Sequence, residues 1–197
     1  YLEIVWAAHR AGLYYSCLST KLAKAAVAFI LADCGAKAVI TSPSHAGLLA
    51  GALPAGARLL FVGEPPAAGE SFEALRDAMP AAPIADEQAG SDMLYSSGTT
   101  GRPKGVKREL SGGPPDNPDP LTDLARQLFG LDSASVYLSP APLYHAAPLR
   151  WCMSVQRLGG TVVIMEKFDA EQALALIERH RITASQWVPT HFVRLLK

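Results

Sequence analysis

The sequence lacks an excess of either charge, a cysteine pattern and any long apolar run, and each absence closes off a class of function. Lys plus Arg number 18 and Asp plus Glu number 18, a net charge of zero. Binding to nucleic acid or to an acidic membrane surface needs clustered cations, so neither partner is expected. The three cysteines, Cys17, Cys34 and Cys152, are odd in number and widely spaced, with no C-x-x-C or Cys/His grouping. No protein-held metal site and no disulfide framework are expected, and a reducing, cytoplasmic setting fits best. The longest apolar stretches, such as Ala25 to Ala32, fall far short of the roughly 20 residues that span a bilayer. No membrane span and no secretory signal are read.

What is present is a core. Hydrophobic residues make up 49% of the 197 positions, the profile of a globular domain or of part of a larger one. Tyr1 is not an initiator, and Tyr1 to Arg10 reads as the middle of an amphipathic helix, so a chain truncated at both ends is expected. Apolar residues then recur at helical spacing through Leu22, Ala26, Val27, Ile30 and Leu31, with Thr20 as the expected N-cap and Gly35 as the stop. Strands are expected at Lys37 to Thr41, Arg58 to Val62, Asp92 to Ser96, Ser135 to Ser139, Thr161 to Met165 and Thr183 to Trp187. Helices are expected at Ser44 to Ala50, Ser71 to Met79, Leu121 to Phe129, Leu149 to Arg157 and Ala170 to His180. The alternation predicts an α/β fold of mostly parallel sheets with helices on both faces, ligands lying beyond the carboxyl ends of strands. The Gly/Pro-rich run 111–120 reads as a surface loop. No internal repeat is visible.

The chemistry concentrates in Tyr95-Ser96-Ser97-Gly98-Thr99-Thr100-Gly101-Arg102-Pro103-Lys104-Gly105-Val106. Gly98 and Gly101 permit backbone conformations in which consecutive N–H groups converge on an anion. The hydroxyls of Ser96, Ser97, Thr99 and Thr100 add donors, and Lys104 adds a full charge. A Walker loop would follow its lysine with Ser or Thr and a helix; here Gly105, Val106 and Lys107 read as extended, so the loop itself must hold the phosphates. A dinucleotide G-x-G-x-x-G fingerprint is absent as well.

From Tyr95 to Val106 the segment resembles the signature of the adenylate-forming, AMP-binding superfamily: acyl-CoA synthetases, aryl-CoA ligases, luciferases and peptide-synthetase adenylation domains. The opening residues Trp6 to Ser19 and Val27 to Ser42 are similar to the same family, particularly its fatty acyl-CoA synthetase branch, as are Ser139 to Pro148 and Leu158 to Thr190. One departure is Ala25, where family members commonly carry an acid that helps cap the helix. The resemblance implies that residues 1–197 are a partial adenylation domain, the incomplete large N-terminal domain of such an enzyme. It implies ATP, Mg²⁺ and coenzyme A as cofactor and co-substrates and a small-molecule carboxylic acid, a fatty acid first, as the partner. It implies that Ser96, Ser97, Gly98, Thr99, Thr100, Gly101 and Lys104 hold phosphates, that Tyr144 and His145 meet the acyl substrate, and that Lys104 and His145 take part in catalysis.

An aryl-CoA ligase is the second reading within the class. A peptide-synthetase domain is disfavoured because Pro140 to His145 carries no Asp to pair with an amino-acid ammonium. A non-catalytic nucleotide-binding remnant and a purely structural role are the readings outside it. The family's magnesium-assisting acid, its ribose-gripping Asp and its C-terminal lysine have no match in these residues, so the chain alone is expected to be inactive. Trp187, Phe192 and Leu195 read as ordinary core, His191 as ambiguous, and His9, His45 and His180 as packing or surface residues.

Overall fold

The computed structural model describes residues 1–96 and 102–197. They form two compact units, residues 3–115 and residues 116–197, with residues 1–2 grouped with the latter.

The first unit begins with α1 (Leu2–Arg10), followed by the short β1 (Tyr14–Tyr15) and by α2 (Lys24–Asp33). The expected cap at Thr20 is not used. Ser19 closes a turn instead, its carbonyl accepting from Leu22 N and its hydroxyl from Lys21 N, so α2 starts after Ala23, which offers no side-chain cap. The buried face of α2, Val27 and Leu31, packs with Leu49 against Val39 and Leu59. Those last two lie in β2 (Ala38–Thr41) and β3 (Arg58–Phe61), parallel neighbours in full register, and β4 (Glu70–Ser71) extends the sheet beside β3.

The helix expected at Ser44 to Ala50 is a 3-10 helix, Pro43–Leu48. Ser42 there lies 2.8 Å from both the Ser44 hydroxyl and His45 Nδ1, local bonds that compete with a regular helix start. The helix expected to run to Met79 is shorter: α3 (Phe72–Asp77), capped by the Ser71 hydroxyl accepting from Ala74 N at 3.1 Å.

The strand expected as one piece from Asp92 to Ser96 changes partners midway. β5 (Ser91–Asp92) pairs in parallel with β1, whereas β6 (Leu94–Ser96) pairs antiparallel with β7 (Lys104–Val106). Met93 is the pivot: its N–H donates to Tyr15 O at 2.9 Å, and its carbonyl accepts from the Ser16 hydroxyl at 2.6 Å. Just upstream, a Cβ on Gly90 would stand 2.3 Å from Leu13 O and 2.9 Å from Ala8 O, so only glycine lets this segment lie against the end of α1.

In the second unit α4 (Pro120–Phe129) is capped by Asp119 and stopped by Gly130 in the left-handed conformation. β8 (Val136–Ser139) is the middle strand of a parallel sheet, with β9 (Thr161–Ile164) on one side and β10 (Ala184–Ser185) on the other. α5 (Ala146–Arg157) joins β8 to β9, starting three residues earlier than its apolar spacing suggests because Pro148 falls in the first turn, where its missing N–H costs nothing. α6 (Ala170–His180) joins β9 to β10. Leu138, Met165 and Ala173 form the buried centre, with Phe168 and Trp187 packed on it.

β10 is shorter than the expected Thr183 to Trp187. The Thr183 hydroxyl itself accepts from Val136 N at 2.9 Å and the Ser185 hydroxyl donates to Leu138 O, so side chains take over part of the ladder. The chain ends in α7 (Pro189–Leu195), not anticipated as a helix. On α7 the residue turned inward is His191, 8% exposed, while Phe192 is 53% exposed; the expectation of a core Phe192 is corrected. No helix among the described residues is long and apolar enough to cross a membrane.

Candidate functional site

Ser96 and Lys104 are cross-strand partners, at the end of β6 and the start of β7, and both are exposed. β6 and β7 thus form a two-stranded antiparallel ribbon, and Lys104 stands beside Ser96 at one end of it. Ser97, Gly98, Thr99, Thr100 and Gly101 lie outside the described residues. As expected, Gly105 and Val106 continue from Lys104 as extended strand rather than as a helix.

The ribbon has three-residue strands, and β7 is exposed along its length. Its attachment comes from neighbouring elements. Tyr95 donates its phenol O–H to Asp33 Oδ2 at 2.5 Å, the last residue of α2. Burial first, and the Asp33 hydrogen bond and charge next, raise the pKa of the Tyr95 phenol above its ordinary value, so it remains a neutral donor. Opposite Tyr95 stands Gly105, where a Cβ would be 2.9 Å from Tyr95 Cζ and 2.8 Å from Met93 Cε. The absence of a side chain at Gly105 makes room for the Tyr95 ring. The outgoing arm is held by Tyr14, whose hydroxyl donates to Arg108 O at 2.5 Å and whose ring lies 4.7 Å beneath Lys107 Nζ.

Sequence reasoning missed Asp33 and Tyr14. For Asp33 a signal existed. A carboxylate in the last turn of a helix opposes the macrodipole, and α2 has no basic residue there to offset it, so an outside partner was to be sought.

In the second unit, β8 runs out at Ser139 into the turn 140–145, the position at which open α/β sheets present ligand-binding groups. The backbone bond from His145 N to Pro142 O, 3.2 Å, closes that turn. His145 is the N-cap residue of α5, but its side chain does not cap the helix; the ring is exposed and lies 4.4 Å, centroid to centroid, from the half-buried Tyr144 ring. Cys152, on α5, is fully buried, and burial pushes its thiol up to about 11, opposed by the Ser139 hydroxyl. A thiol so protonated is no nucleophile at neutral pH.

His191, left open by sequence, is a packing residue here, stacked at 4.3 Å on Phe168 with Trp187 edge-on at 5.7 Å. His9 is buried and His180 exposed in the last turn of α6. Among the described residues no group of three or more His, Cys, Asp or Glu side chains could hold a metal ion.

The chain matches the family described as AMP-binding enzyme over residues 1–197. It is 36% identical over 195 residues to a feruloyl-CoA synthase from an Amycolatopsis species, an alignment covering 98% of this chain and 37% of that one. It is 31% identical over 195 residues to the 2-succinylbenzoate–CoA ligase of Bacillus pumilus, again over 98% of this chain and 37% of the relative. Among solved structures it resembles ATP-bound MatB from Rhodopseudomonas palustris, with a TM-score of 0.75 at 28% identity, over 95% of this chain and 37% of that one. The chain thus spans a little over a third of the length of these relatives.

Proposed function

The chain belongs to the AMP-binding enzyme family, and from that premise we propose that it supplies the phosphate-holding hairpin and part of the acid-binding wall of an ATP-dependent acid–CoA ligase. The observation that carries this is the register of β6 against β7, which sets Ser96 and Lys104 side by side at one end of the ribbon. In this reading the N–H groups and hydroxyls of Ser96, Ser97, Thr99 and Thr100 hold the β- and γ-phosphates of ATP. Gly98 and Gly101 allow close approach, and Lys104 neutralises charge moving onto the leaving pyrophosphate. The carboxylate oxygen of the acid attacks the α-phosphorus, the bond to the pyrophosphate oxygen breaks, and an acyl adenylate forms. The coenzyme A thiol, losing its proton, then displaces AMP. Tyr144 and His145 orient the carboxylate for the first step. Mg²⁺ would supply charge screening for the nucleotide's phosphates; among the described residues no group of three or more His, Cys, Asp or Glu side chains could hold it.

For the acid, the relatives favour an aromatic one over the fatty acid expected from sequence, because the feruloyl-CoA synthase and the succinylbenzoate ligase both activate aryl-containing acids by their names. A thermal-shift panel in saturating MgATP, setting hydroxycinnamic acids against straight-chain fatty acids of increasing length, tests this. Stabilisation by the hydroxycinnamates alone is expected; stabilisation that grows with fatty chain length would return the fatty-acid reading.

A further inference from the structure

A two-stranded ribbon with three residues per strand is marginal by itself, so the direction in which this hairpin points must be imposed from outside. Its root is fixed at Met93 and its outgoing arm at Tyr14. Within the ladder Tyr95 makes a side-chain hydrogen bond to another element of the unit, one residue before Ser96 and directly across from Gly105, the neighbour of Lys104. We propose that the Asp33–Tyr95 hydrogen bond is a latch that positions the phosphate-holding hairpin, with Gly105 as the notch that seats the tyrosine ring; this rests on the phosphate-holding reading given above.

Three independent features meet in this pair. The bond is charge-assisted and 2.5 Å long, at the short end for a hydroxyl on a carboxylate. Asp33 sits where a helix disfavours a negative charge, with no cation in the last turn of α2, so its placement is compensated by the phenol. The ring that carries the hydroxyl fits only because position 105 has no Cβ: any larger residue would meet Tyr95 and Met93 at under 3 Å. The latch thus joins the end of a helix packed in the core to the strand that delivers Ser96, and the ladder passes that constraint on to Lys104. Tyr95 and Asp33 are positioning residues; they act on the nucleotide through the hairpin.

The test uses the whole chain, with MgATP as the probe in calorimetric titrations well below the unfolding temperature, and amide hydrogen exchange read over residues 94–96 and 104–106. Tyr95→Phe and Asp33→Ala are each expected to weaken MgATP by about tenfold, the loss typical of a hydrogen bond to a charged acceptor. The double variant should be no weaker than either single one, and exchange should rise in both strands of the hairpin. Asp33→Asn, which keeps an acceptor oxygen, should recover most of what Asp33→Ala loses. A pair that served stability alone would lower the unfolding temperature while leaving MgATP affinity and hairpin exchange as in the wild type, and that result overturns the latch. If the wild-type chain fails to bind MgATP, the phosphate-holding reading falls, and hydrogen exchange in Tyr95→Phe still decides whether the latch exists.

Discussion

His191 shows how one side chain links packing to pH. It is buried between Phe168 and Trp187, with Arg194 on the same helix, and burial first and that cation next hold its pKa below the usual 6.5. The folded state therefore takes up its proton at lower pH than the unfolded state. As pH falls through the unfolded value the unfolded chain binds more protons and stability declines, whereas at higher pH the contribution is fully present. Melting temperature measured from about pH 7.5 down to about pH 5.5, on either side of the ordinary histidine value, should fall more steeply in the wild type than in His191→Gln. Parallel curves would show that His191 does not titrate differently on folding.

At the same scale, Lys104 and His145, the residues given proposed roles, were visible as candidates because their residue types stand out within motifs. Asp33 and Tyr14 were not, because each acts across a long stretch of sequence, Asp33 on Tyr95 and Tyr14 on Lys107 and Arg108. Periodicity carries no information about such pairings.

Elements were read well where their signals are local. The caps of α4 and α6, Asp119 and Asp169, accept from Thr122 N and Gln172 N at 2.9 Å, and the helices they start lie close to their expected positions. Asp119→Ala is expected to cost about 1 kcal/mol in urea unfolding, the usual value of an N-cap. Elements were misread where side chains competed with the backbone, as Ser19 does before α2, Ser42 in the 3-10 helix and Thr183 beside β10. The partner change at Met93 was hidden for a different reason: β5 and β6 form one apolar-bearing run, and only the tertiary contacts of Tyr15 and Ser16 divide it. That junction depends on Gly90. Gly90→Ala must push Leu13 and Ala8 carbonyls away from a Cβ, and a loss of about 1–3 kcal/mol is expected from overpacking. An unchanged unfolding midpoint would mean that the backbone yields there at no cost.

At the scale of the molecule the alternation of strands and helices led to the α/β class, with parallel pairing in every ladder among the described residues except β6–β7. The boundary between the two units, at residues 115 and 116, falls inside the Gly/Pro-rich run 111–120 that the sequence reads as a surface loop. Limited proteolysis by a non-specific protease is expected to cut first within 111–120, leaving two fragments visible by mass spectrometry. First cuts elsewhere would argue against an accessible junction.

Because the chain spans 37% of the feruloyl-CoA synthase it resembles, it is expected to form no acyl-CoA by itself, and thioester formation by this polypeptide would contradict that. Nucleotide phosphate binding should persist, since it is assigned to the hairpin alone. Calorimetric titration of the chain with MgATP, wild type against Lys104→Ala, probes that assignment most directly. Saturable binding, weakened about tenfold or more once the charged contact is gone, is the expected result. Equal affinity in the two proteins, or no binding in either, would contradict it.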